Sequence, residues 1–324
     1  MRAAFIRETG GVDKIEVGEL PVPRPGPTDV LVRMEASDVN HVDLLVRSGA
    51  YSTYTPFPFV IGRDLVGTVV EAGPGVASFK KGDRVWCNSL GHDGRQGAFA
   101  EYAVVATDRL YTLPAEAEWK EAVSVLHTAA TAHIGLVREA RLQAGETIFV
   151  EGAGGGVGSA VVQLARAMGA RIIATERPED DAWVKGCGAE AVFDYHLEDL
   201  YAQVRNAAPD GIDVWWDNSG RHHFAGCLPI MRAKGRVIIT SGMAGASAEL
   251  PVRAMYTKDV TLHGFAISHA STFDLAQAAR TINRLLASGR LQARVGASFH
   301  LSEAARAHAA MASGSVRGRI VVVP

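Results

Sequence analysis

The stretch Val150-Glu151-Gly152-Ala153-Gly154-Gly155-Gly156-Val157-Gly158 follows an apolar run and opens a segment of helical spacing, and its reading decides the fold. Backbone amides at the start of a helix form an anion site, and small residues let a pyrophosphate approach them where a side chain would hold it off. The core Ala153-x-Gly155-x-x-Gly158 is a close variant of the dinucleotide fingerprint, with Gly158 placed to let the helix pack tightly on its sheet. Ala153, Gly154, Gly155, Gly156, Val157 and Gly158 are therefore candidates for holding a nicotinamide dinucleotide. A glycine-rich match alone is weak; the strand-turn-helix setting, with a second strand after it, carries the reading.

Working outward, the pattern from about Ala122 runs helix, strand, helix, strand. Strands are predicted at 147–151, 171–175, 191–194, 214–217, 237–240 and 260–264, and a helix at 157–168. Such alternation makes an α/β fold with a doubly wound parallel sheet, a Rossmann domain. Residues 1 to about 120 instead carry β-branched runs punctuated by Gly and Pro, which read as short strands joined by turns. Helices are predicted at 275–288 and 303–311, with a last strand at 319–323 that rejoins this first domain. The expected organisation is a mainly β catalytic domain, 1–122 and 270–324, around a cofactor domain, 123–269.

The chain has 324 residues, enough for two cores, and its 21% charged and 48% apolar residues are those of an ordinary globular enzyme. A formal charge of -2 gives no support to a nucleic-acid or membrane-surface role, because a phosphate-tracking protein carries a basic excess. No apolar run of about 18 residues and no signal-peptide core is present, so a cytoplasmic protein is expected. Cys87, Cys187 and Cys227 lie far apart and read as buried thiols.

The second strand ends at Thr175-Glu176-Arg177-Pro178, where the adenosine ribose belongs. An acid there accepts from a ribose diol and repels a 2′-phosphate; an arginine pairs with that phosphate. The two neighbours point in opposite directions. Arg177, turned by Pro178, favours NADPH narrowly and leaves NADH open. Asn218-Ser219-Gly220 and Thr240-Ser241-Gly242 follow the fourth and fifth strands, at carboxyl ends where open sheets bind ligands, so Asn218, Ser219, Ser241 and Gly242 are candidates for ribose or nicotinamide contacts. His222-His223 reads as helix surface.

With these motifs the whole chain resembles the medium-chain dehydrogenase/reductase superfamily, and within it the zinc-free quinone oxidoreductase (ζ-crystallin-like) branch. The landmarks are Ala36-Ser37-Asp38-Val39-Asn40-His41-Val42-Asp43 with Arg47-Ser48-Gly49, Ile61-Gly62-Arg63-Asp64-Leu65-Val66-Gly67, Gly82-Asp83-Arg84-Val85, Gly97-Ala98-Phe99-Ala100-Glu101-Tyr102, the glycine loop, and Gly318-Arg319-Ile320-Val321. The resemblance implies a GroES-like catalytic domain beside the Rossmann domain. It places zinc-ligand stations at Asn40, at Gly62-Arg63-Asp64 and near His127, and an Asn, an Arg and one His cannot make an open zinc site. It also implies that Asn40 and Asp43 lie where nicotinamide meets substrate, that Tyr51 and Tyr54 line the substrate pocket, that Phe265, Ala266 and Ile267 flank the nicotinamide, and that Tyr195 and Arg319 sit at the 2′-phosphate. The family's lysine after the second strand is replaced by Asp181. A homodimer through edge strands near 260–264 is implied as well.

Each site residue has a second reading. Asn40 is either a substrate-side donor or a cap of the helix through Arg47, and Tyr51 and Tyr54 are either pocket walls or loop packing. Arg63 stabilises an oxyanion, binds an acidic substrate, or, as favoured here, pairs structurally with Asp64 or Asp43. His127 is favoured as a satisfied core histidine over a catalytic acid. The expected reaction is metal-free hydride transfer from NADPH or NADH to a quinone or enone, whose oxyanion hydrogen-bond donors stabilise. The rivals are an enoyl-thioester or alkenal double-bond reductase and a non-catalytic NADPH-binding protein of the crystallin or RNA-binding kind.

Overall fold

Ile148, Phe149 and Val150 are apolar in succession because their strand, Thr147–Glu151, is the centre of a parallel sheet and all three are fully buried. The structure is a computed structural model that describes residues 1–242 and 247–324. It divides into two compact units, Met1–His127 with Ala270–Pro324, and Thr128–His269. The boundary falls after His127 and not at 122, because Asn88 Nδ2 donates to the Leu126 carbonyl at 3.2 Å and the His127 N–H donates to Asp64 Oδ2 at 3.1 Å.

The second unit is the Rossmann domain. Its six parallel strands lie in the order Ala191–Asp194, Arg171–Glu176, Thr147–Glu151, Ile212–Asp217, Met231–Ile239, Thr261–Gly264. The chain moves outward from the central strand on one side and then crosses to the other, so the glycine loop leaves the sheet at the point where such folds bind ligands. Gly155 caps the helix Gly156–Ala167, whose Ala160, Val161, Val162, Leu164 and Ala165 are buried. The strand expected at 237 already starts at Met231; Lys234 at φ 63° interrupts its pattern and hides the beginning.

The first unit is the GroES-like domain. One antiparallel sheet joins Glu16–Glu19, Arg2–Ile6 and Phe59–Val60. A larger sheet runs Val295–His300, Arg319–Val323, Asp29–Asp38, Asp64–Ala72, Arg84–Cys87, Tyr111–Thr112, with Tyr102–Ala106 also paired to Asp29–Asp38. The last strand therefore does rejoin the first unit, and sits inside its sheet. Among the described residues, no helix is long and apolar enough to cross a membrane.

Candidate functional site

The glycine loop has the shape that a diphosphate requires. A Cβ on Gly158 would overlap the Gly152 carbonyl, so that position excludes a side chain, and one on Gly154 would lie 2.7 Å from Glu176 Oε2 and displace that carboxylate. Gly155 is exposed at the helix start, where the first-turn amides have no intrahelical partner. Ala153 is buried, its N–H bonded to the Thr175 carbonyl at 3.1 Å, which ties the loop to the second strand. The Thr175 hydroxyl is buried without a hydrogen-bond partner. A dinucleotide fits these residues: close-approach amides, a positive helix end, and an unsatisfied hydroxyl at the strand tip.

Charges gather at that tip. The Glu176 carboxylate accepts from Gly154 N–H at 2.6 Å and from Arg177 N–H at 3.0 Å. Arg177 Nε donates to the Tyr195 hydroxyl at 3.1 Å, and the Arg221 guanidinium stacks over the Tyr195 ring at 4.2 Å. Tyr195 thus touches two arginines, one of which, Arg221, the sequence reading missed; a cation just after Ser219-Gly220 was the available signal. Asp181 instead pairs with Lys185 at 2.9 Å.

Under the loop lies a buried polar network. Glu151, at the end of the central strand, accepts from Tyr201 Oη and Trp215 Nε1, both at 3.0 Å. Burial, and then the neighbouring Asp217, push its carboxyl up to about 7. Asp217 accepts from Ser219 and from His222 Nδ1, each at 2.7 Å. His222 is therefore buried in the loop ahead of the helix Phe224–Cys227, not on a helix surface as expected. Asn218 Oδ1 accepts from Trp216 Nε1 at 2.9 Å and Thr240 Oγ1 at 2.7 Å, while Ser241 Oγ reaches the Asp217 carbonyl at 3.5 Å. Gly242, at φ 119°, lies against the His222 ring, where a Cβ would meet Nε2 at 3.2 Å. Phe265 stands edge-on to Trp216 at 6.3 Å, followed by the half-buried Ala266 and Ile267.

In the first unit the zinc-ligand stations come together around charge and not around donors. Asn40 is 2% exposed, and its Nδ2 donates to Asp38 at 2.9 Å and Asp64 at 3.3 Å. Its Oδ1 accepts from Arg319 at 2.7 Å. Asn40 also starts the helix His41–Ser48, and its N–H donates to the Asp43 carboxylate at 2.8 Å. The Asn40 side-chain amide is engaged by buried partners and makes no side-chain hydrogen bond that caps the helix. Arg319, placed by the resemblance at the 2′-phosphate, is buried against Asp38 and Asn40.

Three acids and two guanidiniums share this interior. Burial, then repulsion by Asp38 and Asp43, raises Asp64 well above the carboxylate range. Burial lifts Asp43 to about 7 against the pull of Asn40 and Arg63. Asp38 is raised by burial and pulled back chiefly by Arg319. Arg63, 2% exposed, is made less basic by burial, which the charges of Asp43 and Asp64 partly offset. His127 is buried and held neutral by burial and by the charges of Arg63 and Arg319. Two guanidiniums, Arg63 and Arg319, lie among these carboxylates. Among the described residues, no group of three or more His, Cys, Asp or Glu is disposed to hold a metal ion.

The aromatic loop 51–59 is stitched to the loop 91–96. Gly94 N–H donates to the Tyr54 carbonyl at 2.8 Å, Asp93 N–H to Thr53 Oγ1 at 2.9 Å, and Gln96 Nε2 to the Pro56 and Pro58 carbonyls at 3.3 and 3.2 Å. Tyr54 is 70% exposed, while Tyr51 is half-buried beside the His92 ring and feels the Arg63 charge.

Two family descriptions match the chain, the alcohol dehydrogenase GroES-like domain over residues 26–115 and zinc-binding dehydrogenase over residues 156–284. The quinone oxidoreductase of Rattus norvegicus is 32% identical over 95% of this chain and 93% of its own length. A solved mycobacterial protein complexed with NADPH is similar at a TM-score of 0.86 and 28% identity, with 100% of both chains covered. An NAD-dependent alcohol dehydrogenase structure is similar at a TM-score of 0.90 and 31% identity, again over 100% of both. With a GroES-like unit, a Rossmann unit and full-length likeness to quinone oxidoreductases, the chain belongs to the medium-chain dehydrogenase/reductase superfamily, in its quinone oxidoreductase branch.

Proposed function

We propose that the protein transfers hydride from NADPH to a small conjugated carbonyl compound, a quinone or an enone, without zinc. The observation that carries the reading is the glycine cradle at a helix start together with Tyr195 held by Arg177 and Arg221, in a chain of this branch. Glu176 is the opposing feature, since its carboxylate repels a 2′-phosphate. Two guanidiniums against one carboxylate favour NADPH.

When bound, the reduced nicotinamide supplies the hydride. The amides that open the helix Gly156–Ala167 bind the pyrophosphate, and Arg177, Tyr195 and Arg221 bind the 2′-phosphate. Asn218, Ser219, Ser241 and Gly242 close the strand ends, and Phe265, Ala266 and Ile267 form an apolar wall for the ring. Tyr51 and Tyr54 stack on a flat substrate and donate from Oη to its developing oxyanion. Asn40, Asp43 and Arg63 are positioning residues, which fix the start of the helix His41–Ser48 that leads to the aromatic loop. Arg63 at one station where zinc-dependent relatives would hold their metal, and Arg319 bonded to Asn40 at another, support quinone or enone reduction over alcohol oxidation.

The open edge strand Thr261–Gly264, with Leu262 39% exposed, supports a homodimer formed by sheet extension. Three free, buried cysteines are consistent with a cytoplasmic protein. The test is oxidation of NADPH and NADH, read at 340 nm, with 1,4-benzoquinone, 9,10-phenanthrenequinone and a simple enone, before and after chelation. Turnover faster with NADPH and unaffected by chelator supports the reading. Loss of turnover on chelation, or none with any pair despite tight cofactor binding, overturns it.

A further inference from the structure

The first unit contains a cavity of about 420 Å³ that none of Asn40, Asp43, Tyr51, Tyr54 and Arg63 lines. Its wall is largely apolar, with Leu20, Pro21, Pro58, Val60, Leu90 and Val105 among the lining residues, and two arginines, Arg95 and Arg109, belong to the same wall. Their charges are answered unequally. Arg95 Nε donates to the Ser89 carbonyl at 2.9 Å and its NH1 lies 3.8 Å from Asp93. Arg109 is half-buried and, among the described residues, makes neither a hydrogen bond nor an ion pair.

Among the described residues no other charged group on the wall pairs with Arg109. The Asp29 carboxylate accepts from the Gly26 N–H at 3.1 Å, and the Met1 ammonium is bound by the Leu20 carbonyl at 2.7 Å and Glu19 at 3.1 Å. Arg95 adds a like charge: its guanidinium is made less basic by burial and then by Arg109. A positive pole in an apolar chamber selects an anion with an apolar body.

We propose that this cavity is a second small-molecule site, which binds an amphiphilic carboxylate with its head on Arg109 and its hydrocarbon tail along Leu20, Leu90 and Val105. The planar fork of one guanidinium matches a carboxylate in two parallel hydrogen bonds. A phosphate is a poorer fit, because its remaining charged oxygens would lie against apolar wall.

Octanoate and 1-octanol, titrated calorimetrically into the full chain, share a tail and differ in the head. Octanoate is expected to bind one per chain, with octanol roughly tenfold weaker. Arg109→Met keeps the apolar stem and is expected to weaken octanoate by a similar factor, and Val104→Trp, which fills the cavity from its wall, to abolish binding. Melting temperatures within a few degrees of the parent show that both variants fold. No binding up to about 5 mM, equal binding of acid and alcohol, or octanoate binding that survives both substitutions overturns the proposal.

Discussion

The Glu176 carboxylate accepts the Gly154 amide at 2.6 Å, so the acid at the tip of the second Rossmann strand reaches back over the glycine loop. It sits where a 2′-phosphate would meet it as a like charge. Replacing Glu176 with Gln keeps an acceptor and removes the charge. The kcat/KM ratio of NADPH to NADH is expected to rise about tenfold, or about 1.4 kcal/mol. A ratio that does not move places the adenosine ribose elsewhere.

Arg221 stacks on Tyr195, and Arg177 holds the same phenol by its hydroxyl. Arg221→Ala is expected to raise KM for NADPH roughly tenfold while leaving KM for NADH within about twofold, an effect that weakens with added salt. Equal losses for both cofactors would point to a damaged loop and not to phosphate recognition.

Arg319 gives the contrasting case. Its guanidinium is buried against Asp38, so Arg319→Met leaves a carboxylate without its partner and is expected to lower stability by about 3–5 kcal/mol in denaturant titration. The preference between NADPH and NADH stays as it was. A selective loss of NADPH affinity without destabilisation would restore Arg319 to the phosphate site.

Asp43 and Glu151 both hold protons up to about pH 7 in the folded chain, whereas free carboxyls release theirs near pH ~4. Across that window the folded state binds more protons than the unfolded state, so stability falls as pH rises and is lowest, on this account, above 7. Glu151→Gln removes its share, on the order of 3 kcal/mol, and flattens the curve of unfolding free energy between pH 5 and 7.5. If the parent and variant curves run parallel, Glu151 is charged throughout.

The glycine loop was legible because its function lies in the backbone: only small residues permit the approach, and they appear in the sequence as Gly. Tyr195 and Arg177, singled out by family likeness and strand-tip position, lie together in the structure, Arg177 Nε donating to the Tyr195 hydroxyl. The interior around Asp38 was not legible, because Asp38 and Arg319 are 281 residues apart and only the completed sheet brings them together. For the same reason the two readings of Asn40, donor to substrate or cap of the helix through Arg47, could not be separated before its contacts with Asp38, Asp64 and Arg319 were seen. The strand Val295–His300 escaped notice because Gly296 and Ser298 dilute its β-branched pattern.

The strand Arg319–Val323 lies between Val295–His300 and Asp29–Asp38, so an inner position of the GroES-like sheet is filled by a segment far along the chain from its neighbour, with Val322 paired to Ser37. The Rossmann unit is contiguous from Thr128 to His269, and its longest strand pairing, Val214 with Ile148, spans far less chain than Val322 with Ser37. Loop-closure entropy therefore delays one unit and spares the other. Pulse-labelled hydrogen exchange during refolding should protect Thr147–Glu151 before Asp29–Asp38; simultaneous protection would refute this order. Refolding would then pass through a chain whose Rossmann sheet is built while its GroES-like sheet is still open.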